Sequence, residues 1–211
     1  MSVLNQLASA QDRRDEAPNL ELAERLAAAG PESSVSIREL VAGLKHQSKA
    51  TRHDCIKVLY EIGYRQPQLI SPFVDDFADQ LTSRDNRMIW GAMTALGAAA
   101  PIAANAIWPH VDTVLQVTAD GSVITQDWGV RVLAALAAAD PAYARRTWPF
   151  LLNFLRGCRP KDLARHAESV QLAAGMPRAA GELPQILEHR LTDLKPAARR
   201  RIEKIISALQ A

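Results

Sequence analysis

Apolar side chains recur at three- and four-residue spacing along most of the chain, in stretches long enough for several helical turns. Val35, Ile37, Leu40, Val41 and Leu44 fall on one side of a stretch that predicts a helix over Ser33–Lys45. Cys55, Ile56, Val58, Leu59 and Ile62 do the same for Lys49–Ile62, with Gly63 as the expected stop. The pairing then repeats: Pro67–Leu81 with Asp85–Ala99, Pro101–Val117 with Val123–Ala138, Pro141–Arg156 with Asp162–Ala174, and Pro177–Leu191 with Pro196–Leu209. Ahead of these pairs, Pro18–Ala29 reads as a helix with Leu20, Leu22 and Leu26 on its apolar side and Gly30 as its end. It follows a charged break, Asp12-Arg13-Arg14-Asp15-Glu16.

The pairs are in register. Pro31, Pro67, Pro101, Pro141 and Pro177 stand 36, 34, 40 and 36 residues apart. A second proline follows in four of the repeats, at Pro72, Pro109, Pro149 and Pro184, and should bend the first helix or reset its start. A period of this length marks stacked helix pairs, each of which needs its neighbours to bury a core. In the second (B) helices, Leu59, Met93 and Leu133 form one core column and Ile62, Leu96 and Leu136 another. The expected fold is all-α: an α-α superhelix, or solenoid, of about five helix pairs with terminal capping helices. Residues 1–30 are expected to cap it. Residues 31–211 form the repeat domain, in units of about 31–66, 67–100, 101–140, 141–176 and 177–211.

Composition agrees with helices: alanine is abundant and aromatics are only 5%. Net charge is +2 but unevenly placed, with 13 basic and 6 acidic residues after Asp140. A basic half can meet an anionic partner or be a solvated face. Cys55 and Cys158 lie in different repeats and predict no disulfide framework. The N-terminus lacks a basic region followed by an apolar core, and no apolar run is read as spanning length, so a cytoplasmic protein without membrane partners is expected.

Ser83-Arg84-Asp85-Asn86-Arg87-Met88-Ile89-Trp90-Gly91-Ala92-Met93-Thr94-Ala95-Leu96-Gly97 resembles the inter-helix turn and B helix of the HEAT-repeat family. That resemblance, which covers about residues 31–210, implies a right-handed solenoid with B helices on the concave face, the usual binding surface. His53, Arg87, Asp127 and Arg165 each stand ten residues before Gly63, Gly97, Ala137 and Gly175 in the aligned B helices. With Trp90 they are the candidate partner-binding residues; basic groups beside an indole can grip an acidic peptide or a phosphate backbone. Trp128 and Arg131 lie nearby in the same register.

A second resemblance is to HEAT-like alkylpurine DNA glycosylases. It rests on Trp108-Pro109-His110-Val111-Asp112 and Trp128-Gly129-Val130-Arg131, and implies Trp108, Asp112 and Arg131 as an excision site, with nucleic acid as the partner. No other catalytic set is legible. Asp75, Asp76 and Asp79 read as a solvated face, the histidines lack zinc spacing, and there is no phosphate-binding glycine loop or GxSxG elbow. No cofactor or metal is expected. The leading reading is a non-catalytic scaffold for a protein partner; the alternative binds nucleic acid.

Overall fold

The computed structural model describes residues 2–173 and 179–210, and among these every regular element is a helix. The longer helices are α1 (Ala17–Ala29), α2 (Ser34–Ala42), α3 (Lys49–Arg65), α4 (Val74–Gln80), α5 (Asn86–Ile107), α6 (Val111–Asp120), α7 (Val123–Ala139), α8 (Pro141–Gly157), α9 (Pro160–Gln171), α10 (Ala179–His189) and α11 (Pro196–Gln210). They fall into two compact bodies, Met1–His110 and Val111–Ala211.

In the N-terminal body α3 packs between α1 and α5, while α2 and α4 pack against α3 and α5. Ile37, Leu40, Val41 and Leu44 are buried as the spacing predicts, but Val35 is exposed and Leu20 is at the surface. Two 3-10 turns, Val3–Gln6 and Ala8–Gln11, precede α1. Such short turns leave backbone donors that need partners. Side-chain carboxylates and an amide supply them. Glu39 accepts from the Val3 N–H at 3.0 Å and from the Ser2 hydroxyl. Asp54 accepts from the Ser9 N–H at 2.8 Å and from the amide of fully buried Asn19 at 2.8 Å. Asn19 in turn accepts from the Ala8 N–H at 3.0 Å.

Both core columns are present, with Leu59, Met93, Leu133, Ile62, Leu96 and Leu136 all fully buried. The glycines behave differently from expectation. Gly63 does not stop its helix, since α3 runs on to Arg65. A Cβ there would lie 2.5 Å from Ile70 Cδ1 and 3.1 Å from Ala98 Cβ, so glycine serves close packing. Gly97 is also buried inside α5 and ends nothing. Gly175 and Pro177 lie outside the described residues.

The prolines split into two behaviours. Pro72 and Pro109 sit in 3-10 turns, Ser71–Phe73 and Trp108–His110, that reset the start of the following helix. Pro149 and Pro184 stay inside α8 and α10. Pro101 lies two residues before a break in helical geometry at Ala103 (φ −124°), where α5 divides into two helical segments, so the expected boundary is displaced by two residues. Within residues 86–120 an 18-residue stretch is apolar enough to cross a membrane by length and composition, with mean hydropathy 1.2, and 61% of that stretch is buried inside the protein, as in the core helix of a folded domain.

In the C-terminal body α7 packs against α6, α8 and α9, and α11 against α9 and α10. Arg190, whose role no spacing signals, closes the end of α8 by donating to the carbonyls of Leu155 (2.7 Å), Arg156 (2.7 Å) and Cys158 (2.9 Å). It satisfies terminal carbonyls that have no partner within the helix. On α11, Ile202, Ile205 and Ile206 are buried, while Arg199 and Arg201 pair outward with Glu203 and Glu168.

Leu96 is completely buried in α5. Leu96→Ala is expected to lower unfolding free energy by about 2–5 kcal/mol in chemical denaturation. A loss of a few tenths of a kcal/mol would contradict its place in the core column.

Candidate partner-binding face

The surface side of α3 carries Lys49, His53, Lys57, Glu61 and Tyr64, spaced by three or four residues and therefore stacked along one stripe. The start of α5 lies beside it. Asp85 is the N-cap of α5, accepting from the Arg87 N–H at 3.0 Å. That capping role fixes its carboxylate where His53 Nε2 meets it at 2.7 Å and Lys49 Nζ at 3.5 Å. Burial alone would raise the Asp85 pKa. The His53 hydrogen bond, the Arg87 N–H and the nearby positive charges outweigh it and hold the group below its ordinary value.

Farther along the stripe, Tyr60 links two aromatic neighbours. Its ring lies 5.6 Å from that of exposed Tyr64 and 5.9 Å from that of half-buried Trp90, both tilted. Two cations border this strip. The Lys57 ammonium stands 5.0 Å from the Tyr60 centroid and the Arg87 guanidinium 6.0 Å from that of Trp90, both within cation–π range. Lys57 also pairs with Glu61 (3.1 Å) and Glu16 (3.2 Å), and Arg87 pairs with Glu16 (2.9 Å). Burial would lower the Lys57 pKa, but the Tyr60 hydroxyl and the two carboxylates hold its ammonium charged, above the ordinary value. The result is a partly exposed aromatic strip edged by oriented, permanently charged groups, suited to binding a polar chain with bulky side chains.

The structure thus brings Arg87 and Trp90 together and places His53 at the neighbouring cap. In the C-terminal body it brings the other two candidates together: Arg165 Nη2 stands 2.9 Å from Asp127 Oδ1. That contact is an ion pair without hydrogen-bond geometry, whereas Arg165 donates to Asp162 at 2.9 Å and Arg159 donates to Asp162 at 2.7 Å. Burial raises the Asp127 pKa, opposed by the Arg165 charge and reinforced by Asp162. Beside this group sits His166, only 3% exposed, edge-on to Phe154 at 5.1 Å. Its Nδ1 has no hydrogen-bond partner, and its Nε2 is 3.6 Å from Asp127, too far to share a proton. Burial, helped by Arg165 and Arg159 against Asp162, lowers its pKa to about 4.

The residues of the glycosylase resemblance have other engagements. Asp112, exposed at the start of α6, accepts from Arg146 of α8 at 2.7 Å. Arg131 of α7 lies 4.9 Å from the Trp128 ring centroid, and Trp108 lies in the 3-10 turn that ends the N-terminal body. Of the aspartates read as a solvated face, Asp75 pairs with His110 at 2.7 Å and Asp79 with Lys45 at 3.6 Å. Among the described residues no three His, Cys, Asp or Glu side chains converge as metal ligands. Cys55 is fully buried, and burial pushes its thiol to about 12, so it carries no thiolate at neutral pH.

Sequence reasoning missed Glu16, Lys57, Tyr60, Asp85, Asp162 and His166. Lys57 and Tyr60 were readable, since they continue the spacing from His53, and Asp85 had the character of an N-cap. The pairing of Glu16 with α3 and α5 is long-range and had no local signal.

No family model matches the chain, and no curated protein matches it. Solved structures do. An engineered protein is 18% identical with a TM-score of 0.69, the match covering 100% of this chain and 97% of that one. A computationally designed armadillo repeat protein for modular peptide recognition is 15% identical (TM-score 0.67, 97% of each chain). A further designed armadillo repeat protein, solved in complex with the peptide (KR)4, is 14% identical (TM-score 0.69, 99% of this chain and 98% of that one). The fold is an α-helical repeat solenoid. Identities this low establish the fold alone.

His166 gives this fold a defined pH response. Its folded pKa of about 4 lies below the ordinary 6.5, so its contribution is intact above pH 6.5. It is lost as the unfolded chain takes up a proton between pH 6.5 and 4, by up to about 3 kcal/mol. His166→Leu is therefore expected to gain stability relative to the parent as pH falls from 7 to 4, read from denaturation curves at each pH. Parallel stability profiles would contradict the neutral, buried state of His166.

Proposed function

We propose that the chain is a non-catalytic scaffold of HEAT-like repeats that binds an extended segment of a protein partner on its B-helix face. The observation that carries the reading is the Tyr64–Tyr60–Trp90 strip bordered by Lys57 and Arg87 on α3 and α5. Aromatic rings supply contact area at low entropic cost, and fixed cations beside them orient a polar chain. His53, Arg87 and Trp90 in the N-terminal body, and Asp127 and Arg165 in the C-terminal body, are the side chains assigned to partner contact. Designed armadillo repeat proteins of similar fold are described as recognising peptides, one of them in complex with (KR)4, which supports an extended peptide as the ligand class. The N-terminal segment 1–30 caps the repeats in this reading. Both cysteines are free thiols, in keeping with a cytoplasmic setting.

The test is selection of binding peptides from a displayed random library, followed by affinity measurement on variants. Trp90→Ala and Tyr64→Ala are expected to weaken a selected peptide by about fivefold or more each, because truncating an anchoring interface aromatic costs over about 1 kcal/mol. Unchanged affinity for both variants, with both folded, would remove this face from the binding site.

A further inference from the structure

Glu16 is the N-cap residue of α1, yet its side chain makes no capping hydrogen bond. The preceding Asp15 accepts from the Ala17 N–H at 3.1 Å instead. The Glu16 carboxylate reaches sideways, one oxygen 2.9 Å from Arg87 Nη2 and the other 3.2 Å from Lys57 Nζ. It is thus a carboxylate held between two cations at the edge of an aromatic strip, in a chain read above as a peptide binder.

We propose that Lys57, Arg87 and the Tyr60–Trp90 strip form a recognition position for an acidic side chain of a protein partner, that Glu16 occupies this position in the free protein, and that the partner's carboxylate displaces it. This rests on the peptide-binding reading and names the chemistry of the peptide.

Three features favour exchange over a fixed structural pair. Glu16 is about half exposed, with 48% of its side chain open to solvent, and such pairs are worth little individually. Arg87 is incompletely satisfied: its buried Nε has no acceptor, although Nε and Nη2 form one edge of the guanidinium. Glu16 divides its two oxygens between Arg87 and Lys57 and leaves that edge half used. Nε is out of reach of solvent in the free protein, so the bidentate geometry that makes arginine–carboxylate pairs strong can form only once Glu16 has left. Lys57 keeps Glu61 as a second partner, so its charge stays compensated while Glu16 leaves. Tyr64, 46% exposed beside this position, gives a flanking bulky side chain of the partner a surface to lie on.

The test compares the parent chain with Glu16→Gln for binding of fluorescein-labelled (Glu-Tyr)4, with (Gln-Tyr)4 and a 12-nucleotide single-stranded DNA as controls. Glu16→Gln is expected to tighten (Glu-Tyr)4 by about fivefold at low salt, of the order of one exposed charge interaction. It should leave (Gln-Tyr)4 unchanged, and the gain should vanish when Arg87→Gln is added. Glu16→Asp, which keeps the charge but shortens the reach, should give a smaller gain and serves if the amide variant folds poorly. Equal gains for both peptides, no gain for (Glu-Tyr)4, or a gain only for the oligonucleotide would overturn the proposal. Absence of (Glu-Tyr)4 binding to every variant would overturn it too. In any of those cases, a library-selected peptide that still depends on Trp90 would leave the binding face standing, and loss of that dependence would remove both.

Discussion

Close approach between neighbouring helices is the constraint on which the N-terminal body depends. Gly63 and Gly91 leave α3 and its neighbours no room for a side chain: a Cβ at Gly91 would come within 2.7 Å of Ile56. With the backbones this close, surface groups on successive helices meet without reaching. His53 meets Asp85, and Tyr60 meets Trp90. The candidate face is therefore a consequence of packing beneath it. In the C-terminal body Gly129 lies against Thr118 in the same manner, and Asp127 and Arg165 meet on the helices alongside.

The ionic pairs along these helices orient more than they stabilise. Exposed pairs contribute little free energy, because solvent screens them and long side chains lose entropy in holding one geometry. What they do is fix charged groups in place. Asp85 caps α5 and holds His53, and Glu61 holds Lys57 above the Tyr60 ring. A surface ordered in advance loses less entropy when a ligand arrives.

The helical architecture and core columns were legible because helical periodicity is a local signal, repeated here often enough to fix the register. Leu59, Met93 and Leu133 are all fully buried in that register. Glycines were misjudged because their two uses look alike in sequence: Gly63 reads as a helix stop but serves close packing. Pro101 marks the neighbourhood of a helix boundary but not its position, since the break falls two residues later at Ala103. For the candidate face, the spacing singles out His53 and Arg87, and Trp90 joins them as a neighbour on the same helix as Arg87. The spacing could not supply Glu16, which lies 71 residues from Arg87 and is brought there by the packing of α1. Arg190 capping α8 from 35 residues away is invisible for the same reason. Side chains that act across tertiary distances leave no periodic trace.

The most direct measurement is mapping of backbone amide and Trp indole NMR shifts on titration with a library-selected peptide. The account predicts that the largest changes cluster at Lys57, Tyr60, Tyr64, Arg87 and the indole of Trp90. Changes confined to α2 and α4, with α3 and α5 unmoved, would contradict it.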